Sequence, residues 1–155
     1  MINNTVEDDR KTRMGKIGET IFANFCSAKG YKIEVSIDPY DSKKDMIVDG
    51  LTTEVKTQVP YVYKNAFTFK PNQLKKCLAV ERLIFVSVPN HKTSHHSDGK
   101  VYEIDPKKMQ YYPYTAGGGR DMIAIPIDQP DMKELFTMSN DYATMLQKYS
   151  SSKWN

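Results

Sequence analysis

Asp45, Glu54 and Lys56 have the side-chain types that hydrolyse phosphodiesters, and a short stretch of chain is enough to bring them together. Between them lies Asp49-Gly50, a strong two-residue hairpin signal, because a type I′ turn needs positive φ at both central positions. With Asp49 and Gly50 as the loop, Val48 faces Leu51, Ile47 faces Thr52, Met46 faces Thr53 and Asp45 faces Glu54. Directly opposed side chains sit roughly 4.5–5.5 Å apart at Cβ. Lys56, two residues beyond Glu54, emerges on the same face. Like charges opposite one another destabilise a sheet, so pairing Asp45 with Glu54 needs a reason. A divalent cation between them supplies one. Mg²⁺ takes carboxylate oxygens, keeps several waters and uses phosphate as a further ligand. A lysine beside it can orient or deprotonate the attacking water, or stabilise charge on phosphate.

The elements that must position this set follow from periodicity. An amphipathic helix is predicted over 13–29, with Met14, Ile17, Ile21, Phe22, Phe25 and Ala28 near i, i+3/i+4 spacing and Gly30 as its stop. Glu19 falls beside Cys26 at the margin of the apolar stripe. It reads either as a boundary glutamate on a solvated rim or as a carboxylate looking along the sheet toward the hairpin. Gly15 and Gly18 cost helix stability but permit close backbone approach. Residues 31–37 alternate as a half-buried strand, and 38–44 form a polar loop into the hairpin. The second hairpin strand runs to about Gln58, where Pro60 ends it. Residues 61–69, with alternating aromatics, form a short strand or an ordered loop. A helix over 71–80 and a nearly continuous apolar strand over 83–88 complete a βαβ unit, expected to be right-handed.

Asp45-x8-Glu54-Val-Lys56 on a hairpin, preceded by a glutamate-bearing helix, resembles the PD-(D/E)XK nuclease superfamily. The resemblance covers about residues 13–89. Acid-x-Lys also occurs at Asp41, Asp98, Asp105 and Asp131; Glu54-Val-Lys56 differs in lying on an apolar strand with a cross-strand acid. The chain departs from the family pattern where Lys44 stands in place of the motif's proline. The resemblance implies an α/β single domain, a mixed β-sheet flanked by helices with a restriction endonuclease-like core. It also implies an Mg²⁺-dependent DNA endonuclease in which Mn²⁺ substitutes. Asp45 and Glu54 would hold metal, the Val55 carbonyl is available as a further ligand, and Lys56 would position water. Glu19 matches the first-helix glutamate that completes such sites. A homodimer is the family expectation.

At 155 residues the chain suits one domain, with 1–12 and 150–155 as frayed termini. Hydrophobic content of 39% argues against disorder. No run approaches the ~20 apolar residues of a membrane span, and the polar N-terminus does not read as a signal peptide. The expected setting is cytoplasmic, including that of a host cell in which a phage protein would act. Cys26 and Cys77 lie in apolar helical patterns and are expected as reduced core residues. Net charge is +3, but 55–80 carries five lysines (Lys56, Lys64, Lys70, Lys75, Lys76) and no acid. With Lys107, Lys108 and Arg120 these would track a DNA backbone, and the interspersed tyrosines offer stacking surfaces. Gln58, on the Lys56 face, is either a phosphate contact or a solvated strand residue.

Gly117-Gly118-Gly119 lacks the Lys-Ser/Thr of a P-loop, so it is read as a flexible run or a backbone phosphate contact. His91, His95 and His96 share a polar loop, and no acid or cysteine spacing supports structural zinc there. Strands are expected at 100–104 and 122–127, and a helix over 132–149, interrupted near Ser139-Asn140. Within the resemblance, a resolvase-like or nicking enzyme is expected, with a restriction-like or exonucleolytic nuclease of the same fold as the alternative, and two functions of other classes remain open. One is a nucleic-acid-binding domain without turnover. The other is a plain interaction domain in which Lys56 only neutralises Glu54. The residue types favour recognition of DNA structure over base sequence, because no helix-turn-helix or zinc finger is appended.

Overall fold

The computed structural model describes residues 2–35, 46–61, 65–89 and 99–149. Helix α1 (Ile2–Ala28) stops where Gly30 adopts φ 79°. The Gly30 N–H donates to the Ser27 carbonyl (3.1 Å) and the Tyr31 N–H to the Cys26 carbonyl (2.9 Å), the paired bonds of a Schellman cap. The helix begins at Ile2 and not near residue 13, so the expected frayed lead-in is largely helical. No Gly or Pro precedes Gly15 to interrupt it, and propagation past a formed turn is cheap.

Strands β1 (Ile33–Val35), β2 (Met46–Val48), β3 (Leu51–Gln58), β5 (Arg82–Ser87), β6 (Lys100–Ile104) and β9 (Lys133–Thr137) make one mixed sheet, in the order β1-β2-β3-β5-β6-β9. Its one parallel pair among the described strands is β3 with β5, joined through helix α2 (Pro71–Leu78). A second, antiparallel sheet has the order β4-β8-β7, from β4 (Ala66–Phe69), β7 (Tyr112–Ala116) and β8 (Arg120–Pro126). Helix α3 (Asn140–Tyr149) closes the chain. No helix among the described residues is long and apolar enough to cross a membrane.

The large sheet is covered on both faces, which is why β5 reads as an unbroken apolar run. Ile84, Val86 and Val88 pack with Ile21, Phe22 and Cys26 of α1 and Leu146 of α3. Leu83 and Phe85 point the other way, into Phe67, Phe69, Leu74, Cys77, Ile123 and Ile125. Each such side chain removed from water contributes about 1.5–3 kcal/mol. Phe67 stacks on Phe85 with centroids 4.2 Å apart, tying the small sheet to the large one. Both cysteines are buried free thiols. They lie in opposite cores, and desolvation raises each to about 11. They are protonated and inert at neutral pH.

One element differs from expectation. Residues 133–137 form β9, and α3 starts only at Asn140. The open edge of β6 supplies backbone partners that a solvated helix would lack, and a register shift at Val101/Tyr102 lets the adjacent Leu135 and Phe136 pack against the same core. Ser139 is the new N-cap. Its hydroxyl accepts from the Tyr142 N–H at 3.3 Å.

Gly18 earns its place by close approach. A Cβ there would overlap Thr57 Oγ1 and stand 2.9 Å from Thr57 Cβ, so α1 rides directly on β3. Gly18→Ala is expected to destabilise by about 1–3 kcal/mol of overpacking, more than the ~1 kcal/mol that alanine gains over glycine inside a helix. Thermal denaturation of Gly18→Ala, Thr57→Ala and the double variant checks this. Thr57→Ala should recover part of the loss; strictly additive effects would mean that the two positions do not touch.

Candidate active site

The hairpin forms with the register its turn chemistry implies. Asp49 and Gly50 adopt φ 50° and 82°, and Val48 pairs with Leu51, Ile47 with Thr52 and Met46 with Thr53. Asp49 also holds the turn against β1. Its carboxylate accepts from the Lys32 N–H at 2.8 Å, and its own N–H donates to the Lys32 carbonyl at 2.9 Å. Asp45, one residue before Met46, lies outside the described residues, as do Lys64, His91, His95 and His96.

Past Thr53 the strand runs beside β5, with Glu54 opposite Leu83, Lys56 opposite Phe85 and Gln58 opposite Ser87. Alternation turns these three side chains toward the core that contains Phe69 and Cys77. Thr53, Val55 and Thr57 turn toward α1. Lys56 Nζ stands 3.4 Å from Glu54 Oε1, and the two side chains keep only 23% and 18% of their exposure. The same ammonium lies 5.9 Å from the Phe69 ring centroid, close enough for a cation–π attraction. Beneath them the Cys77 thiol is raised chiefly by burial, then lowered by Lys56 and raised by Glu54. A carboxylate and an ammonium are therefore held together at a half-buried edge, reachable from solvent.

Glu19 is exposed on α1, next to Gly18, which meets Thr57 of β3 one residue beyond Lys56; the apolar residues of α1 pack on the Ile84–Val86 face of the large sheet. Gln58 is not a solvated strand residue. Its Nε2 donates to the Thr68 carbonyl (3.0 Å) and its Oε1 accepts from the Thr68 N–H (2.8 Å). The carboxamide thus takes the part of a neighbouring strand and clamps β4 to the large sheet. Two matched bonds to a partly buried peptide group are worth roughly 1–3 kcal/mol together.

The described basic candidates belong to the layer over the Glu54–Lys56 face. Lys70 precedes α2, and Lys75 and Lys76 are exposed in its last turn. Lys107 and Lys108 are exposed in a turn after β6, anchored by buried Met109 in the same core. The glycine run is the β7–β8 hairpin turn. Gly118 and Gly119 adopt φ 84° and 77°, and Arg120 Nε donates to the Gly117 carbonyl at 3.4 Å. Part of the expected basic loop is thus strand.

Sequence reasoning overlooked Phe69 beneath Lys56 and the grouping of Tyr61 with Tyr114, whose rings lie 6.1 Å apart. The alternation Tyr112, Tyr114 was the available signal for the latter. Among the described residues, no cluster of three or more His, Cys, Asp or Glu could hold a metal ion. Glu54 is the described carboxylate beside Lys56, a hard oxygen donor suited to Mg²⁺ if a second acid joins it. Comparison with the models of known families, with curated proteins and with solved structures found no match to this chain.

Proposed function

We propose that the chain is an Mg²⁺-dependent DNA endonuclease that selects DNA structure over base sequence. The observation that carries the reading is the half-buried Glu54–Lys56 pair, set just past a hairpin whose pairing is described through Met46 and Thr53. In that register the next residues are 45 and 54. Asp45, Glu54 and the Val55 carbonyl would hold the ion, which when bound polarises phosphate and acidifies water. Lys56 then has one task, to keep its ammonium beside the attacking water or the charged phosphate. Glu54 and the Phe69 ring orient it. Lys70, Lys75, Lys76, Lys107, Lys108 and Arg120 would take the DNA backbone.

A labelled panel of linear, nicked, single-stranded, flapped and four-way-junction DNA, with Mg²⁺, Mn²⁺ or EDTA, tests this. The expected result is metal-dependent cutting at junctions, flaps or nicks, with steep loss as salt rises. Discrete cuts at one short motif in long linear duplex would overturn the structural preference. A second reading, binding without turnover, draws on Lys56 being engaged by Glu54. It predicts gel shifts on the same panel and no products in any metal.

A further inference from the structure

The small sheet has a face turned away from the core beneath Lys56. Ile123 and Ile125 of β8 point into the shared core with Phe67 and Phe69, so alternation turns Met122 and Ala124 outward. Register places Tyr114 beside Met122, and Tyr112 and Thr68 on either side of Ala124. Arg120 lies two residues before Met122 and so shares this face. Tyr61 joins it through its bridge to Ala66, with its ring 6.1 Å from that of Tyr114.

Tyr61 and Tyr112 remain 39% and 38% exposed, while Tyr114 is half-buried between its neighbours. Burial raises the Tyr114 phenol first; a Thr68 hydrogen bond lowers it, Tyr61 and Tyr112 raise it, and Arg120 lowers it. All four groups therefore converge on one ring. The one acid in β8, Asp121, alternates to the other side, and β4 and β7 contain none.

Aromatic rings presented on a strand scaffold beside a guanidinium suit one ligand chemistry well. Unpaired bases stack on such rings whatever their sequence, while the adjacent phosphate meets the cation. A duplex hides its base faces in its own stack. A protein partner would also accept tyrosines, but a face with a cation and, among its described strand residues, no acid favours a polyanion.

We propose that the outward face of the three-stranded sheet binds unpaired bases of single-stranded DNA, with Tyr61 and Tyr112 as stacking platforms, Tyr114 bracing them and Arg120 on phosphate. The choice of DNA rests on the nuclease reading. β4 connects the two sites: its Thr68 side chain belongs to the tyrosine face, its backbone there is clamped by Gln58, and its Phe69 underlies Lys56. A strand held on the tyrosines is thereby fed toward the Glu54–Lys56 edge, which specifies substrates with unpaired segments.

Fluorescence anisotropy of the full chain with labelled oligo(dT) and with a blunt duplex, both in EDTA, tests the proposal apart from cleavage. Tyr61→Ala/Tyr112→Ala should weaken oligo(dT) binding by roughly 5- to 100-fold for each stacked base lost and leave the duplex unaffected. Tyr61→Phe/Tyr112→Phe should keep the wild-type affinity, because stacking needs the ring and not the hydroxyl. Thermal melts verify that the variants fold. Photocrosslinking of the wild type to iodouracil-substituted oligo(dT) should label Tyr61 or Tyr112, whatever the variants do. Unchanged affinity in a folded alanine pair, equal loss on duplex, or crosslinks confined elsewhere would overturn the platform. So would failure of the wild type to bind oligo(dT), which would assign the face to a protein partner. Cleavage that persists without such binding refutes the platform alone; binding by the tyrosines without cleavage upholds the platform and refutes the nuclease.

Discussion

Asp45→Asn and Glu54→Gln are each expected to reduce Mg²⁺- or Mn²⁺-supported DNA cleavage below detection, as EDTA should for the wild type. Both substitutions replace a charged oxygen donor by a neutral amide, and a hard divalent cation depends on that charge. The two should differ in stability measured without metal. Glu54 is bonded to Lys56 at 3.4 Å with both side chains largely covered, so Glu54→Gln strands an ammonium. Its cost should fall between the ~0–1 kcal/mol of exposed pairs and the ~3–5 kcal/mol of fully buried ones. Asp45→Asn should cost nothing of this kind, and it relieves repulsion if 45 faces 54. Full activity in EDTA, or in both the Asp45 and Glu54 variants, would discard the metal assignment.

Lys56→Ala is expected to lower the single-turnover rate by roughly 10²–10⁴, the range for positioned acid–base groups. DNA affinity should fall only modestly, as for one lost phosphate contact. The split follows from where the ammonium is held. Glu54 and the Phe69 ring keep it at a half-covered edge, where charge acts more strongly than in open water, while exposed Lys75, Lys76, Lys107 and Lys108 remain to meet the backbone. Rapid-quench measurements at saturating enzyme, alongside equilibrium binding in EDTA, separate the two effects. A collapse of affinity with an unchanged rate at saturation would make Lys56 a binding residue and end the mechanistic assignment.

Local chemistry carried much of this molecule's plan. Asp49-Gly50 sets the hairpin register because positive φ at two successive residues leaves few turns open, and that register puts Glu54 and Lys56 on one face. Gly30 ends α1 for the same conformational reason. The apolar run 83–88 declares a strand covered on both sides. What local pattern could not decide were questions of partnership across the chain. Residues 133–137 are strand because β6 offers an open edge, and no helical periodicity in Met132, Leu135 and Phe136 reveals that edge. Gln58 is a clamp only because β4 passes within hydrogen-bonding reach, and its carboxamide matches a peptide group. Gly18 lets α1 sit directly on Thr57 of β3, an approach that no helical wheel reveals. The tyrosines become one face only when β4, β8 and β7 pair. Turns and caps depend on a few consecutive dihedral angles, which the sequence by itself determines. Which face an element buries, and what it meets there, depends on the packing of distant segments, and only the tertiary structure decided it.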